Sequence, residues 1–321
     1  MATAASARHR PDPRSVKKTT LPLLLAATMV GSCTGTPQQL SIHDLAEAHR
    51  LADLGDYDAA EDVLDDFEAI DFDLPTQRDY NLLYGQVADA MLDWNTAIRY
   101  YETYMTQTGP AQRAREAEQR LLHYGTGLLE GKYKVFWLFT DRSRGVITLE
   151  NLALLGNDPH MRAEAMARVA EYHYNDKDYD DAMIFYAGML QPDFQGLGWE
   201  DSASFQLAMC HYRMIKLKSI NGAAVRFALE QFRAYLELFP GGLHRVEAQR
   251  NYEVCCDLLS QYHIMVGDYY VQIGNNAGAM HHFALATGEV SQGDASIAEL
   301  VRGTATAEEA KVRLEALRID S

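Results

Sequence analysis

Residues 177–186 read KDYDDAMIFY, residues 92–101 read LDWNTAIRYY, and residues 55–64 read GDYDAAEDVL. In each, an aromatic residue is followed three positions later by alanine, and four beyond that by a large apolar or aromatic residue. The triplets are Tyr179-Ala182-Tyr186, Trp94-Ala97-Tyr101 and Tyr57-Ala60-Leu64. Nine positions before each aromatic stands a small residue, Ala170, Gly85 and Ala48 in turn. Offsets of three and four put side chains on one face of a helix, and a Gly or Asp just ahead of the aromatic supplies a turn. The small residue then sits on a preceding helix. There it lets the second helix approach closely while the large residue fills the gap. The three stretches predict one helix-turn-helix unit, repeated.

Two weaker copies follow. One carries Ala208, then Ala228, Phe232 and Tyr235, closing at Pro240, with an insertion, roughly KLKSINGA, between its helices. The other carries Gly267, Tyr270, Gly274, Ala279 and Phe283, with Asn276 where an aromatic is expected. The pattern resembles the tetratricopeptide repeat, a unit of 34 residues. That resemblance implies an all-α, tetratricopeptide-like helical-hairpin solenoid of about five repeats, elongated and curved. TAEEAKVRLEALR (306–318) reads as the terminal capping helix that covers the last apolar face. Between the second and third repeats, GKYKVFWLFTDRSRGVI (131–147) breaks the pattern: it is aromatic, apolar and locally basic through Lys132, Lys134, Arg142 and Arg144. Phe136 and Trp137 within it are a candidate partner anchor, because aromatic clusters dominate protein interfaces. The competing reading is an apolar plug beneath a long loop.

Upstream of the repeats lies LPLLLAATMVGSC (21–33), preceded by Arg8, Arg10, Arg14, Lys17 and Lys18 with only Asp12 opposing them. The apolar run is about half the ~20 residues that a spanning helix needs. A basic start, a short apolar run and a small-residue exit are the parts of a secretory signal. Val30-Gly31-Ser32-Cys33 resembles the lipobox of bacterial lipoproteins, which implies cleavage before Cys33 and acylation of that residue. The expected organisation is a leader at 1–32, a lipidated Cys33 with a polar tether at 33–40, and repeats at 41–110. A helical and aromatic-basic insert follows at 111–160, then further repeats with the cap at 161–321. A lipobox followed directly by about five such units is similar to the layout of the BamD-type lipoprotein subunit of the outer-membrane β-barrel assembly machinery. FRAYLELFP (232–240) and HIMVGDYYVQIGNNAGAMHHF (263–283) resemble stretches of that family. The aromatic-basic segment and the lengthened fourth repeat depart from it. The resemblance implies a lipid anchor on the periplasmic side of the outer membrane. As partners it implies unfolded outer-membrane protein clients and the other assembly subunits. An adaptor for another cell-envelope complex is the alternative.

Charge narrows the partners. The whole chain carries −16, and its first 32 residues hold five bases and one acid, so the remainder stands at −20. Phosphate binding needs clustered Lys and Arg, so nucleic acid is excluded as a partner, while basic or neutral peptides fit. The run from Asp53 to Asp73 holds ten acids and no base. It lacks the oxygen ladder and central Gly of a calcium loop and reads as a solvated helix face. His281 and His282 adjoin, so a helix sends them to different faces, which suits no single metal. No nucleophile elbow, zinc-protease string or phosphate loop occurs. The expectation is a non-catalytic scaffold without cofactor or metal. Cys210, Cys255 and Cys256 read as small apolar residues on helices. The groove of such an array is lined by the first helix of each unit. The expected peptide-binding residues are His49, Ala52 and Asp53 in repeat one, Leu82, Gln86 and Asp89 in repeat two, and Glu171, Tyr174 and Asn175 in repeat three.

Overall fold

The structure, a computed structural model, describes residues 42–67, 73–107, 109, 115–135, 139–215, 220–289 and 295–319. The leader, Cys33, the tether, Phe136 and Trp137 lie outside the described residues. From residue 42 onward the chain runs as successive helical pairs. These are α1 (Ile42–Asp53) with α2 (Tyr57–Asp65), α3 (Leu74–Ala90) with α4 (Trp94–Gln107), and α5 (Arg115–Leu129) with α6 (Arg142–Leu155). Then come α7 (Pro159–Asp176) with α8 (Tyr179–Met189), α9 (Glu200–Arg213) with α10 (Gly222–Leu238), and α11 (Arg245–Gln272) with α12 (Asn276–Ala286). Each pair packs on the next. After α13 (Ala295–Arg302), the last helix, α14 (Ala305–Ile319), lies on α11 and α12. This is an all-α, tetratricopeptide-like hairpin solenoid with a terminal capping helix. No described helix is long and apolar enough to cross a membrane.

The turns explain why the units repeat. After the first helix of five pairs the backbone enters the left-handed region, at Gly55 (φ 76°), Leu92 (63°), Gly131 (73°), Lys177 (68°) and Gly274 (74°). One residue later the N–H turns back onto the carbonyl five positions earlier. The bonds are Asp56 to Leu51 (3.0 Å), Asp93 to Ala88 (2.9 Å), Lys132 to Gly127 (2.8 Å), Asp178 to His173 (2.9 Å) and Asn275 to Tyr270 (2.9 Å). This Schellman closure satisfies carbonyls that a helix end leaves unpaired. Glycine takes the left-handed position freely, whereas Leu92 and Lys177 hold it against their own Cβ. The second helix then starts from a polar cap: the Asp93 carboxylate accepts the Thr96 N–H (3.2 Å), and the Asn275 side chain accepts that of Gly278 (3.0 Å).

The small-to-large contact read from the sequence is present in atomic form. A Cβ added to Gly85 would stand 2.8 Å from ring carbons of Tyr101, and one on Gly267 2.5 Å from Phe283. Ala48 and Leu64 are both fully buried in the first pair, and Ala170 and Tyr186 share a core in the fourth. In each case the partners are sixteen residues apart.

The α5–α6 pair adds a hairpin to those the repeat pattern marks. A Cβ on Gly125 would lie 2.6 Å from Leu149, and one on Gly145 only 2.9 Å from the Gly125 carbonyl oxygen and 3.0 Å from the Leu129 nitrogen. Gly125 and Leu149 are twenty-four residues apart, so a sixteen-residue template passes over them. The difference is the aromatic-basic segment, whose described part holds a short antiparallel ribbon, β1 (Lys134–Val135) with β2 (Phe139–Thr140), ahead of the start of α6.

Two carboxylates, one buried and one partly buried, lock this pair to its neighbours. Glu118 of α5 is 1% exposed and accepts the Asn157 (2.8 Å) and Asp158 (3.0 Å) N–H groups ahead of α7. Asp158 in turn caps α7 through the His160 and Met161 N–H groups. Glu102 of α4 accepts from Arg144 (2.6 Å), Thr148 (3.1 Å) and Asn151 (3.4 Å) of α6. A buried acid with two or three donors keeps its charge satisfied.

Toward the C-terminus, α11 is twice the usual length at 28 residues. Its first half packs Ala248, Tyr252, Cys255 and Cys256 into one core with Phe205, Phe232 and Tyr235 of α9 and α10. Its second half packs Ile264 against Phe283 of α12 and Leu314 of α14. The first helix of the last weak copy, which carries Gly267 and Tyr270, is thus the later half of one continuous helix.

Candidate functional site

Stacking brings the first helices α1, α3, α5 and α7 side by side, and a groove runs across them. Its first section, about 620 Å³, is lined by His49, Ala52 and Asp53 from α1, by Leu83, Gln86 and Asp89 from α3, and by Glu116, Arg120, His123 and Tyr124 from α5. Tyr57 and Trp94, which open the second helices, and Tyr133, just ahead of the ribbon, complete the wall. A second section of about 470 Å³ shares His123 with the first and adds Arg115, Gln119, Lys132 and Glu164. A third, about 390 Å³, shares Thr126 and Glu130 with the second and adds Arg142, Arg168, Glu171, Tyr172 and Asn175. Each section thus shares part of its wall with the next.

Most polar groups in the first section are already oriented by a neighbour. Asp89 accepts a short hydrogen bond from the Tyr124 hydroxyl and pairs with Arg120 at 3.0 Å. Gln86 donates its amide to Glu116 at 3.0 Å, and His49 Nε2 sits 2.9 Å from Asp79. The Tyr133 hydroxyl meets His123 Nε2 at 2.9 Å. Its ring lies 5.4 Å from that of Tyr124 and 5.7 Å from that of Trp94. Burial, then its bond to Asp89, raises the Tyr124 hydroxyl above the usual tyrosine range, and burial also raises Tyr133. Both remain neutral at physiological pH. Asp53 ends α1 exposed and makes no ion pair or hydrogen bond among the described residues.

Of the residues singled out from sequence, the groove holds His49, Ala52, Asp53, Gln86 and Asp89 in its first section and Glu171 and Asn175 in its third. Tyr174 is elsewhere. Its ring packs edge-on against Tyr179 at 5.4 Å and its hydroxyl accepts from Arg213 at 3.2 Å, so it belongs to the α7–α8–α9 core. Leu82 is likewise replaced by Leu83, the neighbouring residue on α3. Sequence reasoning missed the α5 contribution. The spacing Glu116-Arg120-His123 marks one helix face and could have revealed it. Trp94 and Tyr133 had no such signal, because their place in the wall depends on the turn and the ribbon.

Other reactive groups of the described residues lie outside the groove. Cys210, Cys255 and Cys256 are free and buried, and burial pushes each thiol up to about 12, away from thiolate chemistry. The His282 Nδ1 lies 3.1 Å from that of buried His263, and its ring stacks on Tyr270. At the α7–α8 turn, donor atoms of His173, Asp178 and Asp181 come within 4.8 Å of one another, at a partly solvated acidic turn.

No family model and no curated protein matches the chain. A crystal structure of the C-terminal part of a TPR repeat-containing protein from Cytophaga hutchinsonii is similar over 85% of this chain and 95% of that one, at 14% identity and a TM-score of 0.31. The fold class rests on the hairpin packing itself. Arrays of this class present stacked helices as a surface for protein partners.

Proposed function

We propose that this protein is a non-catalytic, lipid-anchored scaffold that holds an extended protein segment in the groove across α1, α3, α5 and α7. The observation that carries the reading is the continuity of that groove over four successive hairpins. A small-molecule site would be one enclosed pocket, whereas a channel shared between stacked units suits a polypeptide. The lipobox-like Val30-Gly31-Ser32-Cys33 supports attachment through Cys33 to the outer membrane on its periplasmic side. With that anchor, the repeat layout and the 232–240 and 263–283 stretches, the protein acts in the assembly and insertion of outer-membrane β-barrel proteins. Its N-terminal hairpins receive clients and its C-terminal hairpins dock the other subunits.

Affinity purification of the full chain from detergent-solubilised envelopes tests this. Recovery with the central β-barrel subunit of the assembly machinery is the expected result. Recovery with a different set of envelope proteins would replace this function by that of an adaptor for another complex. A Cys33→Ser variant should leave the membrane fraction or stay unprocessed.

A further inference from the structure

We propose that the first section of the groove selects a basic side chain of its peptide partner, an Arg or Lys received against Trp94 and Tyr133 and facing Asp53. The inference rests on the peptide-groove reading above and names the chemistry of the peptide. Three observations carry it. The first is the charge of the wall. Asp53, Asp89 and Glu116 line this section against a single guanidinium, that of Arg120. Arg120 is already committed to Asp89 at 3.0 Å.

The second is what each carboxylate is doing. Asp89 is 10% exposed and also takes the Tyr124 hydroxyl, and Glu116 takes the Gln86 amide, so both are held in place. Asp53 is the acid left with no partner among the described residues. A cation entering the groove meets an unspent carboxylate there.

The third is the aromatic wall. Trp94 and Tyr133 approach at 5.7 Å with their planes tilted by 42°, and Tyr124 backs Tyr133 edge-on at 5.4 Å. The Tyr133 hydroxyl is tied to His123, which holds the ring in place. Ring faces attract cations, Trp most strongly, and a planar guanidinium stacks where an ammonium only touches. An Arg-containing segment is therefore preferred over its Lys counterpart. The third section of the groove sets Arg142 and Arg168 against Glu130, Glu171 and Asp176, so its charges nearly balance. The preference is local to the N-terminal hairpins. The chain's overall −16 steers the same peptides toward it.

The test is fluorescence anisotropy on the full chain with labelled Gly-Ser-Arg-Tyr-Arg-Ser-Gly and its Lys, Gln and Glu counterparts. The Arg peptide should bind about tenfold tighter than the Gln peptide, with Lys between them and Glu weakest, and the advantage should shrink as salt rises. Asp53→Asn and Trp94→Leu should each abolish the Arg advantage. Asp53 is exposed and unpaired, so its variant keeps the test valid if the Trp94 variant fails to fold. Equal binding of all four peptides overturns the charge selection while leaving the peptide groove standing. Binding of none overturns both. Full competition by free arginine methyl ester at the peptide's own affinity would mark a small-cation site and overturn the peptide assignment.

Discussion

The α3–α4 and α5–α6 hairpins close on the same kind of contact and are connected in different ways. In both, a glycine on the first helix lets a large side chain of the second seat against its backbone: Gly85 under Tyr101, Gly125 under Leu149. In both, the first helix ends in a left-handed residue, Leu92 or Gly131, with the same backward hydrogen bond to the fifth carbonyl. After that, α4 begins within two residues, whereas the path to α6 is nine residues longer and includes a ribbon. The packing contact and the length of the connection are thus separable. Loop-closure entropy explains the tolerance, since doubling a loop costs only about 0.6 kcal/mol. The inserted segment also has a use, because Tyr133, at its start, walls the groove. The regular hairpin supplies architecture, and the interrupted one supplies architecture together with part of the site.

The sharpest way to break this comparison is at Gly145, where a side chain would meet backbone rather than a movable ring. Gly145→Val should cost about 3 kcal/mol in urea denaturation. A loss smaller than that of Gly85→Ala would show that α5 and α6 are not packed as α3 and α4 are.

Next is Glu118, which the regular hairpin has no counterpart for. Glu118→Ala strands the Asn157 and Asp158 N–H groups and should cost about 2 kcal/mol. Glu118→Gln, which keeps one acceptor oxygen, should cost less. Equal costs would mean that the carboxylate is not the acceptor holding the α6–α7 link.

A gain is expected in the regular hairpin. The Tyr101 hydroxyl is buried without a hydrogen-bond partner among the described residues. Tyr101→Phe keeps the ring against Gly85 and should stabilise by about 1 kcal/mol. Destabilisation would show that the hydroxyl is satisfied in solution.

The smallest effect concerns the shared turn. Lys177 holds the left-handed position that Gly55, Gly131 and Gly274 hold elsewhere. Lys177→Gly should therefore raise the unfolding midpoint by an amount corresponding to about 0.5 kcal/mol. A fall would mean that the Lys177 side chain contributes more than its backbone strain costs.

The legible parts of the fold were those in which both partners of a contact lie within one short hairpin. Gly85 and Tyr101, or Ala170 and Tyr186, stand at fixed offsets, so the spacing alone marked them. The α5–α6 pair was hidden because its longer connection displaced Leu149 eight positions from the template. The groove was legible in part. His49, Asp53, Gln86 and Asp89 follow from which helix comes first in each unit, but Tyr174 shows how one position of register turns a side chain from groove to core. Arg120, Tyr124 and Tyr133 could be found only once α5 was recognised as a first helix.

By itself, the sequence determined the helical hairpin, its turn, its repetition and its capping helix, together with an acidic character. These are local properties: helix periodicity, left-handed turn positions and the small-to-large offset act within a few tens of residues. Only the tertiary structure decided that α5 and α6 form a hairpin, that α11 serves two layers, and that Asp53 shares a groove with Trp94 and Tyr133. Those side chains come from separate hairpins, and the stacking of one unit on the next sets their spacing.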